Sequence, residues 1–393
     1  MHLAETDEQL EMRRELRAYF AELLPPDVLG QVGEVGGGSP VFRKVVRRLG
    51  ADGWLGLGWP TEYGGQGRSA IEQFIMFDEI QRARVPFPFV TVNTVGPAIM
   101  AFGTDEQKRR YLPGILSGET NFAIGYTEPG AGTDLASLRT AAVLDGDEWV
   151  VNGNKVFTSG ANQADFIWLA CRTDPDAPKH KGITILIVPT SSPGFSWTPI
   201  HTVGGSTTTA TYYEDVRVPA DQVVGEVNAG WRLITAQLNH ERVGLGAMSG
   251  LTMRLYDEVV AWAATTPAGA GSTDRVIDVP WVQADLARCR ALIAAMRLMT
   301  WKLVNAVNDG TLGPAAASTT KVFGTERSVA VYRILQGILG AAANVRAGSP
   351  GALLSGEVEQ ASRAAQINTF GGGVSEIQRE LIATAGLGLP RSR

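Results

Sequence analysis

Near residue 120 the chain changes the period of its apolar pattern, and near residue 219 it changes back. Between those points the text reads "TAAVLDGDEWVVNGNKVFTSG", "ADFIWLACRT", "GITILIVP", "FSWTPI" and "TATYYEDVRVP". These are runs of β-branched and aromatic residues in two-residue alternation, the pattern of half-buried strands. Asp145-Gly146 and Asn152-Gly153 fall between such runs and predict hairpin turns, since these dipeptides readily adopt the positive φ that tight hairpin turns use. A β unit of about one hundred residues is thus predicted in the middle of the chain.

Helical spacing governs both flanks. In "TDEQLEMRRELRAYFAELL", residues 6–24, Leu10, Met12, Leu16, Phe20 and Leu23 recur at helical intervals behind an acidic first turn, and Pro25-Pro26 ends the pattern. Further helices are expected at 41–50, 70–84, 91–102 and 105–117, with a glycine-rich turn at 59–68. After "VVGEVNAGW" long amphipathic runs cover 230–265, 279–307, 315–345 and 355–387. The order of helices, strands and helices predicts an α+β protein in which a β unit is held between two helical ones. The expected divisions are a helical domain at 1–120, a β-barrel-like antiparallel domain at 121–226 and a helical bundle at 227–393.

Composition removes several classes of function. The 393 residues carry a formal charge of −5, and a nucleic-acid partner needs a concentrated basic surface. The densest basic run, "RKVVRR" at 43–48, is spaced as the wet side of a helix. Two cysteines, Cys171 and Cys289, make neither a disulfide framework nor a thiolate metal cluster, and four histidines show no ligand spacing. With no run of about 18 apolar residues and no signal-like start, no membrane partner and a cytoplasmic location are expected.

Two segments could carry chemistry. "YTEPGAGTD", Tyr126 to Asp134, lies where helix gives way to strand, and its glycines and proline form a tight turn flanked by hydroxyls. "KVFTSGANQADF", 155–166, puts an aromatic ring and two hydroxyls at a strand end, suited to a flat heteroaromatic ring. Each alone is equally compatible with a structural turn.

Six blocks in sequence, "GWPTEYGGQG", "FGTDEQKRRYLPGILSGE", "YTEPGAGTD", "NGNKVFTSG", "VRVPADQVVGEVNAGW" and "SEIQRELIA", resemble the acyl-CoA dehydrogenase family over nearly the whole chain. The resemblance implies that family's fold, with an N-terminal helical domain, a middle β domain and a C-terminal four-helix bundle, and FAD between the last two. It implies that Tyr126 and Thr127 meet the flavin, that Gly132 and Thr133 line the ring and the acyl-CoA path, and that Phe157 and Ser159 sit beside the isoalloxazine. Ser159 occupies the slot of a flavin-facing threonine, and Phe157 stands where tryptophan is commoner.

The family's reaction is α,β-dehydrogenation of an acyl thioester, which needs a carboxylate dry enough to accept an α-proton. In many members the base precedes a Gly-Thr in the last helical segment, and there this chain has Gly372. Glu376, four residues on, is a poor substitute. Some members instead carry the base on the first long helix of the bundle directly before an arginine, and Glu241-Arg242 in "QLNHERVGLG" match that place. The resemblance therefore implies Glu241 as the base, with Asn239 and Arg242 toward the substrate.

Where typical members hold a neighbour's FAD with an Arg-x-x-Phe turn and a Gln-x-x-Gly-Gly segment, this chain has Arg275 with Asp278, and Gln336 with Gly340. That departure, with "AQLNHERVGLG" and "TFGGGVSEIQR", is similar to the base-bearing subunit of bacterial heterotetrameric (α2β2) dehydrogenases of cholesterol side-chain breakdown. The implied partners are a steroid-CoA substrate, a second acyl-CoA dehydrogenase-like subunit and an electron-transfer flavoprotein. An acyl-CoA oxidase and a non-catalytic subunit remain the alternatives.

Overall fold

The computed structural model describes residues 5–29, 40–245, 249–313 and 315–391; the side chains at 26, 29 and 238–245 lie outside the described set. The helical start is built from α1 (Asp7–Leu23), the short α2 (Pro26–Leu29), α3 (Pro40–Ala51), α4 (Ala70–Ala83), α5 (Gly96–Phe102) and α6 (Asp105–Leu116). Residues Thr91–Val95 run into α5 as a π-helical turn. Thr6, Ser69 and Thr104 each close a capping box at the start of α1, α4 and α6, an arrangement that satisfies otherwise unpaired N-terminal donors. Of the stripe expected on α1, Leu16 and Phe20 are buried, whereas Leu10 is 40% exposed. In α3, Val45 and Val46 are buried, while Arg43, Arg47 and Arg48 pair with Asp165, Glu119 and Asp52, so the basic run is indeed a solvated helix face.

The strands are β1 (Phe122–Gly125), β2 (Ala141–Asp145), β3 (Glu148–Lys155), β4 (Phe166–Arg172), β5 (Ile183–Pro189), β6 (Phe195–His201), β7 (Thr207–Pro219) and β8 (Val223–Val224). They form one sheet in the order β6-β7-β3-β2-β4-β5-β8, with β1 added parallel to β4. β4 and β5 are buried on both faces. Trp168, Ala170, Ile183, Ile185 and Ile187 pack into the core of the N-terminal helices. The alternate residues Ile167, Leu169, Cys171, Leu186 and Val188 join Trp149, Val151, Tyr213, Val216 and Val218 inside the sheet unit.

The predicted hairpin at Asp145-Gly146 is present, with Asp145 paired to Glu148 and Gly146 at φ +66°. The one predicted at Asn152-Gly153 is not. Those residues lie within β3 and form a bulge opposite β7. Gly153 at φ +147° passes so close to Thr140 that an added Cβ would lie 2.7 Å from its Cα, and Asn152 exchanges hydrogen bonds with Asp215 across the strands. The Asn-Gly pair thus supplies a kink rather than a reversal.

The rest is helical: α7 (Gly230–Leu245), α8 (Ser249–Thr265), α9 (Pro280–Asn308), α10 (Ala316–Leu339), α11 (Glu357–Ala364) and α12 (Ser375–Leu381). α8 to α11 share the core of the bundle, with Leu255, Val259, Cys289, Ile293, Val331, Leu335 and Val358 among its buried residues. The run expected at 230–265 is two helices, and that at 355–387 is broken twice. Gly372 at φ +64° and Gly373 at φ +100° reverse the chain between α11 and α12, conformations that cost other residues about 1 kcal/mol.

Candidate active site

The turn 126–134 and the strand end 155–159 form one structure. Glu128 and Ala131 close a tight turn over Pro129-Gly130 with reciprocal backbone bonds of 3.1 Å. The Val156 amide donates to the Thr127 carbonyl at 2.8 Å. Lys155, fully buried, donates to the Tyr126 carbonyl at 3.0 Å and to Glu128 Oε1 at 2.8 Å. The Glu128 carboxylate also accepts the amides of Arg139 and Thr140 at 2.7 and 2.8 Å. Burial opposes its charge, but Lys155 and these two amides outweigh burial and hold the carboxyl below its usual range. Burial likewise pushes the Lys155 ammonium down, with Glu128 resisting.

This latch aims Phe157 outward. Val156 on one side is tied to Thr127, and Thr158 on the other donates to the Thr209 carbonyl at 2.9 Å. Between these two anchors Phe157 adopts φ +59° and is 61% exposed. A phenylalanine held in a left-handed conformation with its ring in solvent is strained and apolar at once, which marks it as a surface for a ligand. Ser159 Oγ lies 2.9 Å from Thr208 Oγ1. By accepting from that threonine it can turn its own proton outward. Gly132 and Thr133 are exposed on the same turn, and a Cβ on Gly132 would meet nothing nearer than Thr127 Cγ2 at 4.0 Å. The surface is therefore a flat aromatic face flanked by hydroxyls and an unobstructed glycine, which fits the edge and face of a flavin ring.

α7 reaches this surface through Tyr126. The Trp168 indole donates to the Tyr126 hydroxyl at 3.1 Å, and that hydroxyl donates to Gln237 Oε1. Gln237 is buried and stands one helical turn before Glu241, about 6 Å along the axis. Asn239, Glu241 and Arg242 belong to α7, but their side chains lie outside the described residues. His240 lies there as well.

At the other expected base position, Gly372, Lys321 Nζ donates to the carbonyls of Gly371 and Gly373. A Cβ on Gly372 would stand 3.9 Å from that ammonium. Glu376, on α12, is exposed. Arg275 is engaged by its own turn, with two side-chain bonds of 2.8 Å to Asp278. The same bonds and the Arg275 amide hold Asp278 down to about 2. Gln336 accepts from Ser362 at 2.7 Å.

Cys171 and Cys289 are free and buried, and burial pushes both thiols up to about 12, so neither is a nucleophile. Among the described residues no group of three or more metal-ligating side chains occurs and no helix is long and apolar enough to cross a membrane.

Glu128, Lys155, Gln237 and Lys321 are the site-forming residues that sequence reasoning missed. A signal existed for one pair: Lys155 falls at an inward strand position, where a cation requires a buried anion, and Glu128 lies in the motif already singled out.

The family models described as acyl-CoA dehydrogenase N-terminal, middle and C-terminal domain match residues 6–119, 123–216 and 228–387. Among relatives, "Acyl-CoA dehydrogenase FadE26" of Mycobacterium tuberculosis is 53% identical, with 100% of both chains covered. A solved "Tcur3481-Tcur3483 steroid ACAD" superposes with a TM-score of 0.95 at 60% identity, covering 100% of both chains. The ChsE4-ChsE5 complex from Mycobacterium tuberculosis gives 0.94 at 52%, again over 100% of both.

Proposed function

The chain belongs to the acyl-CoA dehydrogenase family and is an oxidoreductase of that kind; from this premise we propose that it dehydrogenates a steroid side-chain acyl-CoA, with Glu241 as the base. The observation that carries the reading is the chain of contacts from Phe157 through the Lys155–Glu128 latch and Tyr126 to Gln237. It joins an aromatic ligand surface to the helix turn that precedes Glu241.

In this reading Tyr126, Thr127, Gly132, Thr133, Phe157 and Ser159 hold FAD, which when bound supplies the hydride acceptor for the β-carbon. Phe157 offers its exposed ring as a stacking face, and the Ser159 hydroxyl donates at the edge of the flavin. Glu241 takes the α-proton from the other side of the substrate. Thr133, Asn239 and Arg242 orient the thioester, and the packing of α7 on the π-helical turn at 91–95 and on α5 excludes water, which raises the basicity of a carboxylate there.

A second acyl-CoA dehydrogenase-like subunit completes the α2β2 assembly. Two findings favour it: the similar solved structures are named as two-protein complexes, and Arg275 and Gln336 are bound within their own chain, unavailable to a neighbour's dinucleotide. A steroid substrate rests on the "steroid ACAD" neighbour. An electron-transfer flavoprotein as electron acceptor, a cytoplasmic location and domain divisions at 120/121 and 226/227 complete the reading.

The test is anaerobic flavin bleaching in the co-produced heteromer. Steroid-CoA thioesters bleach it, and straight-chain thioesters do so more slowly. A homotetramer of this chain alone with a full flavin complement contradicts the partner assignment, and no bleaching by any thioester contradicts the reaction.

A further inference from the structure

A cavity of about 410 Å³ lies where the first turns of α6, the β2–β3 hairpin and the segment 220–227 meet. None of the residues that line it belongs to the turn 126–134, to the strand end 155–159 or to α7, so it is separate from the flavin surface. Its volume falls in the range of small-molecule pockets, about 300–1,000 Å³. Hydrogen bonds fix its walls. Gln107, buried on α6, donates to the carbonyls of Asp221 and Val223 at 2.7 and 2.8 Å. One turn on, the Tyr111 hydroxyl donates to Gln222 Oε1, and Gln222 Nε2 donates to Asp221 Oδ1 at 2.8 Å. The Ala220 amide donates to the Asp147 carbonyl at 2.9 Å and ties the hairpin turn to the same segment. Walls held this way need little ordering by a ligand, which lowers the cost of binding.

One donor on these walls is left over. Leu144 and Trp149 stand directly opposite each other across the hairpin and share a face, and both line the cavity. Trp149 is 6% exposed, and its indole N–H has no hydrogen-bond partner. An indole can only donate, so the group is satisfied only when an acceptor reaches it. Trp149 pairs with Val218 of β7, and behind it lies the apolar core of the sheet unit. The cavity is therefore the side from which an acceptor can come. A single buried donor in an apolar wall matches the way ligand pockets fix orientation.

The rest of the lining selects the ligand. Leu144 is 53% exposed, and Val223 and Val227 add apolar surface. The charges balance: Glu106 is held by Arg109 at 2.7 Å, and Arg110 and the Asp221 carboxylate offset each other, so no net charge draws in an anion or a cation. We infer that this cavity binds a neutral, largely apolar ring compound with one carbonyl oxygen, which accepts from Trp149 Nε1 while the ring packs on Leu144 and Val227. The site is additional to the proposed reaction and does not depend on it.

The experiment titrates the heteromeric holoenzyme, labelled with 5-fluorotryptophan, with 1-indanone, indane and indane-1-carboxylate. Calorimetry gives the Kd, and fluorine NMR follows the Trp149 resonance, identified by its loss in Trp149→Phe. 1-Indanone shifts that resonance and binds about tenfold tighter than indane, the worth of one buried hydrogen bond; the carboxylate binds no better than indane. Trp149→Phe keeps a ring but brings the affinity for 1-indanone down to that for indane. Leu144→Arg, at an exposed position, fills the cavity and abolishes 1-indanone binding; should Trp149→Phe fail to fold, this variant decides by calorimetry alone. Equal affinity for indane and 1-indanone overturns the inference, as does an unmoved Trp149 resonance, 1-indanone binding that survives Leu144→Arg, or no binding of any probe. Tightest binding of the carboxylate overturns the neutral ligand class.

Discussion

The ammonium of Lys155 and the carboxylate of Glu128 meet at 2.8 Å, with their side chains 0% and 8% exposed. Lys155 ends β3, opposite Thr211 of β7, and its bond to Glu128 fixes the turn that carries Tyr126 and Thr127 to the strand end that carries Phe157 and Ser159. Removing one member of a buried pair strands the other, at about 3–5 kcal/mol. Lys155→Met therefore lowers stability in denaturant titration by about that much at neutral pH, and loosens FAD with it. The sign with pH follows from the depressed carboxyl of Glu128. Its contribution is full above the ordinary carboxylate range and is lost as pH falls through the lowered folded value. In the variant the deficit shrinks toward acid, because protonation relieves the stranded charge.

Phe157 separates stability from cofactor binding. At φ +59° with 61% of its surface exposed, it gains little from packing and bears backbone strain of about 1 kcal/mol. Phe157→Gly leaves thermal stability of the flavin-free chain unchanged or higher, and it weakens flavin retention on gel filtration. Phe157→Ala weakens retention too but keeps the strain. A drop in flavin-free stability for the glycine variant would contradict the strained geometry.

Arg13 ties α1 to α4 with bonds of 2.8 Å to Asp78 and 2.7 Å to Glu79, and it also holds Glu5. Ser249, at the start of α8, donates to Asp78 at 3.3 Å, so the network spans the N-terminal helices and the bundle. Arg13→Met takes the shared cation from Asp78 and Glu79, which then keep, among the described residues, only Arg297 at 3.5 Å and Arg17 at 2.8 Å, and destabilises by at most about 3–5 kcal/mol. Exposed pairs such as Arg14–Glu11 contribute at most about 1 kcal/mol, and Arg14→Met serves as the control in the same denaturation series.

Several features of this molecule were legible as pattern. The period change near 120 marks the sheet unit, and the self-pairing of Arg275 with Asp278 accords with a turn that had lost its phenylalanine. What escaped was three-dimensional. Asn152-Gly153 reads as a hairpin because the dipeptide tolerates positive φ, yet the same freedom serves a bulge when Thr140 crowds the backbone. The run 355–387 has helical apolar spacing on both sides of its glycines, yet it leaves the α-helix after Ala364 and is turned again by the left-handed Gly372 and Gly373. Gln237 gave no signal, since a glutamine in a helix is unremarkable until its burial and its partner are known.

Gly372 bears on where the proton goes. A glutamate introduced there begins at φ +64° and lies beside the Lys321 ammonium, which would hold its carboxyl too acidic to serve as a base. Gly372→Glu in a Glu241→Gln background therefore fails to restore turnover, as judged by the steady-state rate with a steroid-CoA. Recovery of activity in that double variant would show that the glycine slot still faces the substrate.

The most direct measurement replaces the proposed base and leaves everything else in place. Glu241→Gln and Glu376→Gln, each produced with the partner subunit, are mixed anaerobically with a steroid-CoA and followed by flavin absorbance. Glu241→Gln retains its FAD and shows no bleaching, whereas Glu376→Gln bleaches at close to the wild-type rate. Bleaching of the Glu241 variant at the wild-type rate would mean that the proton acceptor lies elsewhere.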